Sequence, residues 1–443
     1  MKYVYYLIVL ACAAVLIVAG CSVPVPNQRL SDVEKHYRPD GAKPKLPELK
    51  ADSSLKDFLA YAILNNPKAE AAFYNWKEAV HMTVSASFMP SPELTFNTEI
   101  INSVRALVFG FMQEIPPLGK RALDVKVASQ EALKKRFLFD QELLKIAFNV
   151  EQVYYQGILL NEQIRLTNET IMLVDALGLS VRTKYQAGLG NTEDLVTIQS
   201  EQSNLQNKLA SLTDSLNVQM ANWHAALGIP PDDEIIVPLS NTTFVETALP
   251  SEKDILKEAL AKNLDLKVLS AQIEEAQVAI DLAYNEKRPS FKVGLSADTG
   301  QHPWMGMPSL NMSLPIWSKK IRADISAAKA RQKQAQTVLT AGQIDLAVIV
   351  AQKAFSLREL QRQCRLIKEQ LIPLAEISIT SLEAGYQTGK TDFMSLLNAK
   401  RDLINLRMGL IEATIQREVA FADITLLVIS QNPVEIAQLF YQD

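Results

Sequence analysis

The sequence predicts a mainly α-helical protein with a small membrane β-barrel, built from one unit that occurs twice. Three observations predict it. Motifs recur about 200 residues apart in the same order, a spacing too long for a solenoid repeat. Each copy holds a pair of segments with period-two hydrophobicity. After each pair comes a very long helical stretch, the first without proline from Leu118 to about Tyr185.

The repeat is legible residue by residue. Leu59, Ala62, Ile63 and Asn66 return as Leu256, Ala259, Leu260 and Asn263. Met89-Pro90-Ser91 returns as Arg288-Pro289-Ser290. Ile115-Pro116 with Gly119-Lys120-Arg121 returns as Leu314-Pro315 with Ser318-Lys319-Lys320. Tyr185-Gln186-Ala187-Gly188 returns as Tyr386-Gln387-Thr388-Gly389. The two copies span residues 53–228 and 252–431, with a linker at 229–251 and a tail at 432–443.

Each copy opens with a helical pattern, Ser53 to about Phe88 and Glu252 to Lys287; Pro90 and Pro92 stop the first. In the hairpin that follows, Leu94, Phe96, Thr98 and Ile100 alternate with Glu93, Thr95, Asn97 and Glu99. Candidate strands are therefore 93–100 and 106–115, and 290–298 and 308–316 in the second copy. In the last of these, Leu310, Met312, Leu314 and Ile316 oppose Ser309, Asn311 and Ser313. Nine or ten residues suffice for a tilted strand to cross a bilayer, and one dry face against one wet face suits a barrel wall.

The first long helix would be roughly 100 Å at 1.5 Å per residue. Its seam has heptad spacing: Phe139, Leu143, Ile146, Val150, Val153, Gly157, Leu160, Ile164, Thr167, Ile171, Val174, Gly178, Val181, Tyr185. Leu144, Phe148, Tyr155 and Leu159 lie beside the seam and imply a second packing neighbour. The second long helix, Trp317 to about Tyr386, contains Pro373, which should kink it. Gly188 and Gly389 suit C-terminal caps, and Asn191-Thr192 and Thr391-Asp392 suit N-caps for return helices to Leu227 and Leu427.

Residues 1–20 read as a signal peptide, with Lys2 before an apolar run from Val4 to Val18. Val18-Ala19-Gly20-Cys21 resembles the bacterial lipobox, making Cys21 the lipidated first residue of the mature chain; the plain alternative is an ordinary signal with a chance cysteine. Ser22 is similar to what outer-membrane lipoproteins carry after that cysteine. Residues 21–52, rich in proline, read as an extended arm. Only Cys364 then remains, so no intramolecular disulfide can form. No other stretch reads as eighteen consecutive apolar residues, so no helical membrane span is expected.

This order of elements resembles the outer membrane efflux proteins, the TolC family of outer membrane factors, over roughly residues 53–430. The resemblance rests on the Leu59…Asn66-Pro67 and Leu256…Asn263 openings, the Ile115-Pro116…Gly119-Lys120-Arg121 junction and the turns at Tyr185–Asp194 and Tyr386–Asp392. It implies a homotrimer with four strands per chain in one twelve-stranded barrel and the helices in one periplasmic tube. It further implies a periplasmic adaptor (membrane fusion protein) at the tips Gly188, Leu189, Gly190, Gly389 and Lys390, and an inner-membrane pump of the RND type. Pro90-Ser91-Pro92-Glu93-Leu94 and Gly119-Lys120-Arg121 are most similar to members serving heavy-metal efflux. Family members can narrow the tube with acidic rings; the corresponding positions here are Ser395 and Asn398, with Asp392 close by.

No catalytic constellation is visible, and no cofactor or metal site is expected. His36, His81, His224 and His302 are scattered, without metal-ligand spacing. A net charge of −4 argues against a nucleic-acid partner. The junction residues Pro116, Gly119, Lys120, Arg121, Pro315, Lys319 and Lys320 suit either contact with lipid headgroups or plain helix solvation. The function expected is an outer-membrane conduit for heavy-metal cations, with drug or dye efflux or polypeptide secretion as alternative cargo. A periplasmic adaptor or a coiled-coil scaffold lipoprotein is the alternative of another class.

Overall fold

The computed structural model describes residues 22–26, 30–50, 53–101, 103–188, 190–232, 251–298, 300 and 305–428. The predicted signal peptide, Cys21, Leu189, most of the linker and the C-terminal tail lie outside them. The elements run in this order: α1 Leu30–Tyr37, α2 Leu55–Asn65, α3 Pro67–Ala86, β1 Glu93–Ile101, β2 Ser103–Ile115, α4 Lys120–Gln186 and α5 Thr192–Leu227. The second copy follows with α6 Glu252–Lys262, α7 Leu264–Asn285, β3 Ser290–Asp298, β4 Met305–Ser313, α8 Ser318–Leu366, α9 Ile372–Gln387 and α10 Phe393–Val428. The two stretches run through the same order of elements, except that α4 is matched by α8, a π turn and α9. Three details differ from expectation. Each opening helix is broken in two, at Asn66 before Pro67 and at Asn263; proline disfavours helical geometry in the residue before it, which accounts for the first break. The arm is not wholly extended, since it carries α1 and a 3-10 turn at Pro39–Gly41. The last strand is Met305–Ser313, not 308–316: Pro308 is tolerated on an edge strand, while Leu314, Pro315 and Ile316 lie beyond its end.

The described residues form two compact units. The first draws on the described residues within 1–35, 71–141 and 264–344, the second on those within 36–70, 142–263 and 345–443. At the heart of the first is one antiparallel sheet, ordered β1-β2-β3-β4. The two hairpins are joined through β2 and β3, where Phe111 pairs with Leu295 and Gln113 with Val293. Because directly paired residues share a face, the register sorts the whole sheet. Leu94, Phe96, Phe109, Phe111, Phe291, Val293, Leu295, Leu310 and Met312 fall on one side. Glu93, Thr95, Asn97, Glu114, Lys292, Ser296, Ser309 and Asn311 fall on the other. The apolar side is open: Leu94 is 72% exposed, Phe96 67% and Leu310 69%.

The polar side is concave. A Cβ on Gly110 would lie 2.7 Å from Thr95 Oγ1 and 2.9 Å from Ser296 Cβ, its neighbours on both flanking strands. One on Gly294 would lie 2.6 Å from Ser309 Oγ. Cross-strand Cβ atoms on a flat sheet stand about 4.5–5.5 Å apart. The strands therefore curl toward the polar side, and glycine is what fits at its centre.

Elsewhere in this unit, Phe73 and Trp76 of α3 pack on Phe139 of α4, with ring centroids 5.8 and 6.0 Å apart. In the second unit, Phe58, Tyr154 and Trp223 bring α2, α4 and α5 together. The predicted seam is buried at Leu143, Ile146, Val150, Val153, Leu160, Thr167, Val174 and Val181, but its last residue, Tyr185, is exposed. Gly157 sits in the seam where Gln219 approaches to donate to the Val153 carbonyl at 2.6 Å. Pro373 is accommodated by a π turn at Ile367–Leu371, in which the Ile372 N–H reaches back to the Ile367 carbonyl. The wider turn lies just ahead of the residue whose missing N–H interrupts the helix ladder.

One helical window is apolar on average without being an unbroken apolar run. Within Ser318–Gln387 an 18-residue window reaches mean hydropathy 1.3, and only 17% of it is buried. Ile344, Val348 and Phe355 are among the exposed side chains of α8.

The first copy closes on itself at a cap. Asn66 and Asn65 donate their side-chain amides to the Ala226, Leu227 and Gly228 carbonyls, the orphan acceptors at the end of α5. Gly228 has φ 68°, and a Cβ there would sit 2.6 Å from Asn66 Cα. Gly228→Ala should therefore combine left-handed strain with a backbone clash. A loss of about 2 kcal/mol or more is expected, read as a lower heat-unfolding midpoint by circular dichroism.

Candidate functional site

Three places on the chain carry the side chains singled out from the sequence. The first is the strand-to-helix junction in the first unit. Gly119 turns the chain with φ 86°. The Leu118 carbonyl beside it accepts from Asn285 Nδ2 at 2.9 Å and Arg288 at 2.5 Å, both at the end of α7. Arg121 donates to the Ser87 carbonyl at 2.6 Å. That same carbonyl accepts from the Val23 N–H of the arm at 3.2 Å. Arg121 is thus committed to an internal bond, whereas Lys120, Lys319 and Lys320 are exposed. Lys320 pairs with Asp324 at 3.2 Å and Glu286 at 3.9 Å. Leu118, Leu314, Ile316 and Trp317 also stand exposed beside the strand ends, an apolar and aromatic collar next to lysines.

The second is the tip, where both Gly turns come together in the second unit. Gly188 and Gly389 have φ 75° and 72°, as the left-handed caps require. Gly190 lies where a Cβ would meet the Tyr185 backbone N at 2.9 Å. Asn191 Oδ1 caps α5 by accepting from the Asp194 N–H at 2.8 Å. The Lys390 N–H returns to the Gly385 carbonyl at 2.8 Å, and Lys390 itself is exposed. Beneath the turns, Val174, Val181, Ile198, Phe393 and Leu397 form one apolar cluster.

Beside that cluster lies a cavity of about 320 Å³ lined by Lys184, Glu193, Asp194, Tyr386 and Asp392. Asp194 is shifted upward, first by burial and then by the charges of Glu193 and Asp392, against the opposing pull of Lys184. The Lys184 ammonium stands 3.5 Å from the centre of the Tyr386 ring. Glu193, Asp194 and Asp392, separate in sequence, thus share one cavity, while Ser395 and Asn398 follow on the exposed side of α10. Among the described residues, no group of three or more His, Cys, Asp or Glu is arranged to hold a metal ion.

The third was not foreseen. Glu151 of α4 is pushed up to about 7 by burial. Tyr155, one turn on, is pushed up by burial, by Glu418 of α10, by Glu151 and by Tyr154. Glu418 is itself paired with Arg417 at 2.5 Å. Sequence pattern could not flag Glu151, because a glutamate beside an apolar seam reads as solvated until a second helix covers it. Arg38 was missed in the same way. It is fully buried, 3.3 Å from Glu70 and 4.2 Å from the Tyr37 ring centre, in an arm that composition marks as polar.

With this geometry in view, the chain can be set beside known proteins. Residues 255–428 match the outer membrane efflux protein family. That match covers the second copy, and the first copy repeats its elements. Over residues 255–428 the chain thus matches the outer membrane efflux class, and it shares the fold of solved outer membrane channels. Among curated relatives, it is 21% identical over 335 residues to the cobalt-zinc-cadmium resistance protein CzcC of Cupriavidus metallidurans, covering 73% of this chain and 78% of that one. Among solved structures, CusC superposes with TM-score 0.71 at 17% identity, over 86% of this chain and 95% of that one. The open-state MtrE outer membrane channel of Neisseria gonorrhoeae gives TM-score 0.72 at 16% identity, over 92% and 98%. At such identities the likeness to the solved structures is one of fold.

The Glu151 environment yields a pH prediction. Its folded pKa of about 7 lies above the model-peptide 4.5, so between those values the folded chain holds a proton that the unfolded chain has released. Stability should therefore fall as pH rises from about 4.5 to about 7, by up to about 3 kcal/mol, and level off above. Glu151→Gln should remove that slope in melting midpoints taken across the window.

Proposed function

We propose that this chain is the outer-membrane channel of a tripartite efflux system and conducts its cargo passively. The observation that carries the reading is the four-stranded sheet. Its apolar side is exposed, its polar side is concave, and its two edge strands lack partners among the described residues. A sheet of this kind is satisfied by lipid on one side, water on the other and further strands at both edges. Three copies would supply twelve strands, as the family resemblance implies. The exposed flank of α8 at Ile344, Val348 and Phe355 would be covered by the neighbouring copy.

In this reading the collar of Leu118, Leu314, Ile316 and Trp317 lies at the inner leaflet, with Lys120, Lys319 and Lys320 at its headgroups. Cys21 carries the lipid, a second membrane contact that acylation alone would not make stable. The helices stand in the periplasm. A periplasmic adaptor docks at the tip residues Gly188, Leu189, Gly190, Gly389 and Lys390, and an RND-type inner-membrane pump supplies the energy. The carboxylates of Asp392, Glu193 and Asp194 put negative charge at that end, beside Ser395 and Asn398 at the positions where other members narrow. Heavy-metal cations are the cargo that best suits both the likeness to CzcC and that charge.

The detergent-extracted mature chain should run as a heat-modifiable trimer and open discrete pores in a planar bilayer. A monomer that conducts nothing would discard the channel. Deleting the chain in its host should lower tolerance to cobalt, zinc or cadmium. Unchanged metal tolerance with lost dye or drug tolerance would move the cargo to organic compounds.

A further inference from the structure

The polar side of the sheet carries one charged cluster that the reading above does not use. Lys292 of β3 reaches Glu114 of β2 at 3.3 Å and Glu93 of β1 at 3.7 Å. All three side chains are partly exposed, so they meet water rather than a sealed interior. Glu93 is the first residue of β1, Glu114 the last but one of β2 and Lys292 the third of β3. Glu114 and Lys292 pair directly across the strands, and Glu93, opposite Met112, lies one pleat period deeper at the same helix-bearing end of the sheet. Asn311, paired with Lys292, continues the row of that pair on β4 without charge.

Two features set this cluster apart from an ordinary surface ion pair. The cluster lies on the concave side, where Gly294, level with Glu93, and Gly110, a further pleat period deeper, mark the inward curl. The repeat also changes its charge here. The spacing that maps Pro90 onto Pro289 and Ile115 onto Leu314 maps Glu93 onto Lys292 and Glu114 onto Ser313. One copy thus presents two carboxylates where the other presents an ammonium and a hydroxyl. As register-keeping contacts, exposed pairs of this kind contribute little. As fixed charges on the wall of an aqueous path, they act on the ions that pass.

We propose that Glu93, Glu114 and Lys292 form a charge-selecting ring at the mouth where the helices lead into the barrel, with Lys292 moderating a net preference for cations. The inference rests on the channel reading above. Each chain brings two carboxylates and one ammonium, so every copy adds one net negative charge. Lys292 keeps the carboxylates from holding a cation too firmly, which lets the ring favour cations without trapping them. Permeation needs attraction weak enough for release.

The test is the reversal potential of the full-length protein in a planar bilayer under a potassium chloride gradient. Lys292→Gln should raise the potassium-to-chloride permeability ratio by roughly two-fold or more. Glu93→Gln with Glu114→Gln should lower it below wild type. Lys292→Arg should leave it unchanged, as should the exchange of Glu114→Lys with Lys292→Glu, which keeps the pair and the net charge. Conducting variants that all share the wild-type reversal potential would overturn the ring and leave the channel standing. A wild-type protein that forms no pore would instead overturn the channel reading, and this inference with it.

Discussion

The constraint on which the rest depends is the unpaired backbone at both edges of the sheet. β1 and β4 each have one ladder among the described residues, and each offers a row of N–H and C=O groups on its free side. In water such edges invite pairing, and in lipid they are not tolerated at all. The apolar side makes water the wrong solvent for this sheet. In the proposed reading, one chain on its own is therefore not the finished object. The same logic governs α8, whose exposed apolar side chains need a covering surface.

Duplication supplies the geometry, and divergence between the copies supplies chemistry. Asn66 and Asn263 cap equivalent helices through equivalent bonds to Ala62 and Ala259. Gly188 and Gly389 turn with nearly equal φ. Against this likeness the differences stand out. Tyr386 is half-buried beneath Lys184, whereas Tyr185 is exposed. α4 is continuous through 67 residues, while its counterpart passes through a π turn at Ile367–Leu371. Equivalent positions are thus free to take different tasks once both are held in one polypeptide.

Much of this was legible in the sequence, because its signals are periodic. Strands with alternating Leu94, Phe96 and Thr98 betray their faces without a structure, and a seam from Phe139 to Val181 betrays a rod. What was illegible depends on partners distant in sequence. Pairing of β2 with β3 joins Phe111 to Leu295, and nothing local encodes it. The break at Asn263 precedes leucine, not proline, so the repeat itself was its only signal. The cavity uniting Asp194 with Asp392 depends on two turns meeting. Arg38 was unreadable for a related reason: a charged residue is assigned to solvent until Glu70 and the Tyr37 ring are seen around it.

The bond from Val23 to the Ser87 carbonyl has a bearing on assembly. The bond holds Val23 beside the end of α3, in the unit that carries the sheet. In the proposed reading, an acyl chain carried just upstream of Val23 would enter the bilayer near the strands. It would act less as a tether for a finished protein than as a template, raising the local concentration of each chain's hairpins at the leaflet before any barrel exists. The encounter of three copies would then become a search in two dimensions, with every hairpin already presented at the same depth.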